Sequence, residues 1–124
     1  MRTNLSILCV DDDQGVLRSL KRILMSADYS VGTAASGLEA LAKLKNDPSA
    51  FQVVITDLRM PGLVGIALIK QARTHGYTGE FVIVTGSIED YDRSQFRGVG
   101  VRLLFEKPAD PAALLEAVQQ LERT

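Results

Sequence analysis

Apolar residues fall into two alternating patterns along the chain. Residues 5–10 (LSILCV), 51–56 (FQVVIT) and 81–85 (FVIVT) are nearly unbroken apolar and β-branched runs, the pattern of central strands covered on both faces. Shorter runs at residues 31–35 and 103–105 predict flanking strands. Between these runs apolar positions recur at helical spacing: Val16, Leu17, Leu20, Ile23 and Leu24, then Leu38, Leu41 and Leu44, then Ile66, Ile69 and Ala72. Two helix starts are marked. Ser36-Gly37-Leu38-Glu39 has the S-x-x-E spacing in which serine and glutamate each satisfy an orphan backbone N–H. Asp110-Pro111 supplies an N-cap and a first-turn proline ahead of Leu114, Leu115, Val118 and Leu121. A fourth helix is predicted around residues 87–97, where Glu89, Asp90, Asp92 and Arg93 leave Ile88, Tyr91 and Phe96 to pack. It is expected to be exposed or mobile.

Alternating strands and helices predict an α/β fold with a parallel sheet and helices on both faces. Crossovers between parallel strands are right-handed, which leaves few arrangements for five βα units. The expected one is a flavodoxin-like (βα)5 three-layer sandwich with a parallel five-stranded sheet of order 2-1-3-4-5. Such sheets bind ligands at the carboxyl ends of the strands, beside the point where the order reverses.

Composition adds bounds. At 124 residues the chain is read as one domain, residues 1–124, able to bury roughly two-thirds of its unfolded surface. With 46% hydrophobic and 23% charged residues it is globular in composition. A net charge of -1 with scattered Lys and Arg gives no electrostatic footprint for nucleic acid or an anionic membrane. Cys9 is the single cysteine and fits a buried small hydrophobe in a reducing compartment. The apolar run after Arg2 is too short for a signal-peptide core, and no segment has the length of a membrane span. A soluble, cytoplasmic protein is expected.

The residues just past the strands carry the candidate chemistry: Asp11 and Asp12 after the first, Asp57 after the third, Thr85 ending the fourth, Lys107 after the fifth. One polar residue after a strand is often only a turn former; five on one rim are a signal. Crowded carboxylates raise one another's pKa unless a cation compensates them. Oxygen-only ligation without Cys or His points to a hard ion, and Mg²⁺ typically takes one or two carboxylates plus phosphate oxygens. An ionised aspartate is a competent nucleophile that forms an aspartyl phosphate, with lysine and metal charge stabilising the transferring group.

The segments VDDD, VVITDLRMPGLVGIALI, IVTGS and FEKP together resemble the receiver (CheY-like) domain of two-component response regulators, over essentially the whole chain. The resemblance implies that Asp57 is the phosphoacceptor, taking a phosphoryl group from a histidine kinase or histidine phosphotransfer protein. It implies that Asp11, Asp12, Asp57 and the backbone carbonyl of Arg59 hold Mg²⁺, that Thr85 is the switch hydroxyl, and that Lys107 pairs with the phosphoryl group. It further implies a cis Lys107-Pro108 bond and a downstream protein on the face of the fourth helix, fifth strand and fifth helix; a homodimer is compatible with it. Catalysis would be limited to the chain's own phosphorylation and dephosphorylation. Asp13 lies outside the acidic pair, at the start of the first helix, where capping is the favoured role.

Some positions depart from the pattern. Family members usually carry Tyr or Phe three residues before the lysine, and here the residue is Leu104. Phe105 should point to the opposite face of a strand, so a weaker or rerouted switch is expected. Arg59 and Ser87 occupy positions that in the family tune the phosphoryl lifetime. Gly62 and Gly65 suggest a loop needing unusual backbone angles, and Gly86 leaves access to Asp57. His75 reads as a surface residue, Met60 as packing. A degenerate receiver acting as a binding scaffold is the alternative. A Mg²⁺-dependent aspartyl-phosphate phosphatase is disfavoured because Asp57-Leu58-Arg59 lacks the second aspartate of D-x-D. A flavodoxin-type cofactor site is disfavoured because aspartates stand where a phosphate loop should be.

Overall fold

The computed structural model of the protein describes residues 5–86, 88, 93–96 and 98–122. Along them strands and helices alternate: β1 (Ser6–Val10), α1 (Gln14–Met25), β2 (Ser30–Ala34), α2 (Gly37–Asn46), β3 (Val53–Thr56), α3 (Gly65–Thr74), β4 (Glu80–Thr85), α4 (Arg93–Phe96), β5 (Val101–Glu106) and α5 (Pro111–Glu122). The strands form one parallel sheet in the order β2-β1-β3-β4-β5, as expected.

The unbroken apolar runs are explained by where alternate side chains go. In β1, Leu8 and Val10 join Val54, Phe81 and Ile83 beneath Leu41, Leu44, Leu68 and Ile69 of α2 and α3. Their neighbours Ile7 and Cys9 join Val53, Ile55, Val82 and Val84 beneath Leu17, Leu20 and Leu24 of α1 and Leu114, Val118 and Leu121 of α5. Both faces are apolar because both are covered, which gives the three layers. No described helix is long and apolar enough to cross a membrane.

The helix starts follow the sequence. Ser36 caps α2 by accepting from the Glu39 N–H at 3.1 Å, while Glu39 accepts from the N–H of Ala35 at 3.3 Å, one residue before the cap. Asp13 caps α1, its Oδ1 accepting from Gly15 and Val16. Asp110 Oδ2 accepts from the Ala113 N–H at 3.0 Å ahead of α5.

One element differs from expectation. β5 is six residues long rather than three, because this outermost strand has one partner, β4, and its half-exposed residues lack a continuous apolar run. Its register slips at the start: Phe81 opposes Val101 and Val82 opposes Leu103, leaving Arg102 without a counterpart. The turn into β5 rests on Gly98 and Gly100, with φ of 80° and 83°, values that L side chains rarely adopt. Of the fourth helix, Arg93–Phe96 is described; Phe96 is buried and Ile88 is exposed, while Ser87, Tyr91 and the acidic residues of that prediction lie outside the described residues.

Candidate functional site

Strand pairing brings the rim residues together. The Asp11 N–H donates to the Ala34 carbonyl and the Asp57 N–H to the Val10 carbonyl, so each aspartate continues its ladder by one residue and then leaves the sheet. The Lys107 N–H donates to the Thr85 carbonyl at 2.9 Å, after which comes a cis Lys107-Pro108 bond. Gly65 lets α3 begin directly under this rim: a Cβ there would lie 2.5 Å from the Asp57 carbonyl and 3.0 Å from Leu58 Cα. The reason for glycine at 65 is therefore space, whereas Gly62, at φ 80°, needs the backbone angle.

The centre of the site is an ammonium held between two buried carboxylates. Lys107 Nζ lies 2.7 Å from Asp57 Oδ2 and 2.7 Å from Asp11 Oδ2. Asp57 Oδ1 accepts from the backbone N–H of Leu58 at 2.7 Å and of Arg59 at 3.3 Å, and Asp11 Oδ1 accepts from the Asp13 N–H at 2.9 Å. Burial pushes the Asp11 carboxyl above its usual range, and the bonds to Lys107 and to the Asp13 N–H offset this only in part. Burial alone would lower the Lys107 pKa, yet its bonds to Asp11 and Asp57 leave it raised. For the acid, desolvation wins; for the base, pairing wins.

Asp11, Asp57, Thr85 and Lys107 are thus assembled on one rim, with Thr85 fully buried. The Asp12 side chain is exposed, and among the described residues no three acidic, His or Cys side chains converge as a metal cluster. The expected crowding of three carboxylates is a pair, compensated by Lys107. Arg59 is exposed, though its N–H bonds Asp57. Leu104 packs in the cluster with Phe96 while Phe105 packs against the opposite one, so Phe105 is on the far face, as alternation requires. Gly86 has open space beside it, His75 is exposed and Met60 is buried in the core. Burial pushes the Cys9 thiol up to about 12.

Two features escape a reading of residue types alone. The backbone amides of Leu58 and Arg59 orient Asp57, and Lys107 pairs with Asp11 as well as with Asp57. The acidic pair signals only that some cation must compensate it, not that Lys107 does so.

A family model described as the response regulator receiver domain matches residues 7–119. The transcriptional regulatory protein FixJ of Azorhizobium caulinodans is 30% identical over 96% of this chain and 56% of its own length. The chain spans about half the length of the curated relatives it matches first. A CheY-like response regulator receiver domain from Methanospirillum hungatei superposes with a TM-score of 0.86 at 31% identity, covering 98% of this chain and 95% of that one. The CheX-CheY-BeF3-Mg complex from Borrelia burgdorferi does so with a TM-score of 0.85 at 25% identity, covering 94% of this chain and 88% of that one.

Proposed function

Because the chain belongs to the response regulator receiver domains, we propose that it is a phosphoacceptor module in which Asp57 takes a phosphoryl group from the histidine of a kinase or phosphotransfer protein. The observation that carries this reading is the Asp57 carboxylate, buried, oriented by two backbone amides and bonded to Lys107.

The chemistry follows from that setting. An Asp57 oxygen attacks phosphorus, the bond from phosphorus to the donor imidazole nitrogen breaks, and the nitrogen keeps the electron pair. The Leu58 and Arg59 amides hold the carboxylate in place before transfer, so less reorganisation is needed as the bond forms. Lys107 sits where its charge can follow the carboxylate onto the phosphoryl oxygens. Thr85, at the end of β4, is the hydroxyl proposed to turn toward them.

A hard divalent cation fits the oxygen donors that two buried carboxylates, Asp11 and Asp57, supply, and the Arg59 carbonyl and the exposed Asp12 are proposed to complete the set. When bound, Mg²⁺ on these groups neutralises charge on the transferring phosphoryl group. The Borrelia complex contains Mg²⁺ and a beryllofluoride, which supports Mg²⁺ as the cation proposed here.

The donor protein has a place to lean. A cleft of about 450 Å³ between α1 and the turn after β5, with Val16, Leu20, Ile23, Pro108 and Ala109 in its walls, opens beside Lys107. Output is assigned to α4, β5 and α5 as a face that binds a downstream protein, transmitted with an aliphatic Leu104 in the family's aromatic position.

Incubation with Mg²⁺ and acetyl phosphate tests the reading. One acid-stable, base-labile phosphoryl mass is expected on the wild type and none on Asp57→Asn. Labelling that survives Asp57→Asn, or no labelling of the wild type, overturns it, and turnover of a small phosphate ester would favour a phosphatase.

A further inference from the structure

Thr56 is the polar residue of β3, a strand otherwise made of Val53, Val54 and Ile55, and it is buried. Its register partners are Val10 in β1 and Ile83 in β4, so packing alone would be served by valine, which has a similar shape and no hydroxyl. Taking a hydroxyl out of water costs stability unless it is bonded. The Thr56 hydroxyl donates to the carbonyl of the next residue, Asp57, at 3.1 Å.

That carbonyl belongs to the peptide group whose other end holds the phosphoacceptor side chain. The Leu58 N–H, in the same peptide plane, donates to Asp57 Oδ1 at 2.7 Å. The following peptide is arranged alike: the Arg59 N–H donates to Oδ1 at 3.3 Å, and the Leu58 carbonyl accepts from the Gly65 N–H at 3.0 Å. A peptide group is planar and resists twisting, so fixing its oxygen fixes the direction of its N–H. Both amides on Oδ1 are therefore set from behind, the longer one by the backbone at the start of α3 and the shorter one by the Thr56 hydroxyl. The start of α3 also lies against the Asp57 carbonyl, where a Cβ on Gly65 would come within 2.5 Å, which limits the approach of water to that oxygen. With Oδ1 held in this way, Oδ2 is the oxygen that faces Lys107.

We propose that Thr56 is a positioning residue for phosphoryl transfer, its hydroxyl setting the Asp57–Leu58 peptide plane so that the Leu58 N–H holds Oδ1 and Oδ2 is presented to the phosphoryl group. The inference rests on the phosphoacceptor reading for the reaction, and on the contacts above for the positioning. Without the hydroxyl a buried acceptor loses its partner. The peptide then tilts in search of another donor and carries the Leu58 N–H away from Oδ1, and the carboxylate is no longer aimed before the donor arrives.

Thr56→Val and Thr56→Ser test this through the Leu58 amide proton of the metal-free protein and through the rate at which acetyl phosphate and Mg²⁺ label Asp57. In Thr56→Val the Leu58 resonance should move upfield and its exchange quicken about tenfold, with Leu8 and Ile83 little changed. Labelling of the same variant should slow about tenfold. Thr56→Ser keeps the hydroxyl and drops the methyl, and should return both readings towards the wild type. An unchanged Leu58 resonance or an unchanged labelling rate in Thr56→Val overturns the proposal. So does a Thr56→Ser as impaired as Thr56→Val, which would make packing by the methyl the role of this residue, and so does faster exchange throughout the sheet, the mark of a general stabiliser. The Leu58 amide is read without any phosphoryl transfer, so a wild type that does not label counts against the phosphoacceptor reading alone.

Discussion

Lys107 and Asp11 form an ion pair with Nζ 2.7 Å from Oδ2, although the carboxylate comes from the strand next to one edge of the sheet and the lysine follows the strand at the other. The ammonium bonds the same two carboxylates, Asp11 and Asp57, that are proposed to hold a divalent cation. Lys107→Met should therefore raise Mg²⁺ affinity, on the order of tenfold, by removing a competing charge at close range. Titration calorimetry measures it. Weaker binding in the variant would mean that the lysine organises the carboxylates rather than competing for them.

The sign of the Asp11 shift makes a stability prediction. A folded-state pKa raised by burial means that the native protein binds this proton more tightly than the unfolded chain. The resulting stability is present below the ordinary carboxylate value and is lost as pH rises through the raised one. At neutral pH, ionised Asp11 thus costs stability when no metal is bound. Asp11→Asn should raise the thermal midpoint of the metal-free protein at pH 7 by roughly 3–5 °C, corresponding to about 1 kcal/mol. Added Mg²⁺ should stabilise the wild type more than the variant. Thermal melts with and without metal at pH 7 decide it, and a lower midpoint for metal-free Asp11→Asn would show the pair to be net stabilising.

Leu104 packs against the cluster under α2 and α3 that also contains Phe96. Leu104→Tyr should enlarge the beryllofluoride-induced shifts at Thr85 and Phe96 by about twofold, at a cost of about 1 kcal/mol for the added volume. Equal shifts in the two proteins would show that the aliphatic side chain already couples them fully.

Gly65 and Gly62 should behave differently on conversion to alanine. At 65 the added methyl meets backbone of Asp57 and Leu58, which cannot swing aside, so Gly65→Ala should cost about 2 kcal/mol and slow acetyl phosphate labelling. At 62 the surroundings are open and only the positive φ resists, for a cost of about 1 kcal/mol, with labelling unchanged. Denaturant melts and labelling rates separate the two effects.

The fold was legible where burial is two-sided. β1, β3 and β4 announce themselves because every residue after Ser6 and Glu80 is covered, and the end of α2 nearest the site because Ser36 and Glu39 carry their own capping chemistry. β5 was read at half its length, since an outer strand with half-exposed side chains has no unbroken run to see. Gly65 was read as an angle and is a contact, because a close approach between α3 and Asp57 exists only once the chain has folded. The members of the site were legible from their places after strands. The Lys107 bond to Asp11 was not, since it depends on the sheet order and on the reach of one side chain across two intervening strand ends. Asp13 was correctly separated from its neighbours, because a cap depends only on residues two and three positions away.

The unopposed Arg102 has a consequence for how copies of this molecule can meet. A strand approaching β5 in solution would find backbone donors and acceptors out of step at the very residue where pairing should begin, with a charged side chain beside them. Growth of the sheet from one molecule into the next is thereby discouraged. A contact made at this face would then rest on the side chains of β5 and α5, without merging two sheets into one.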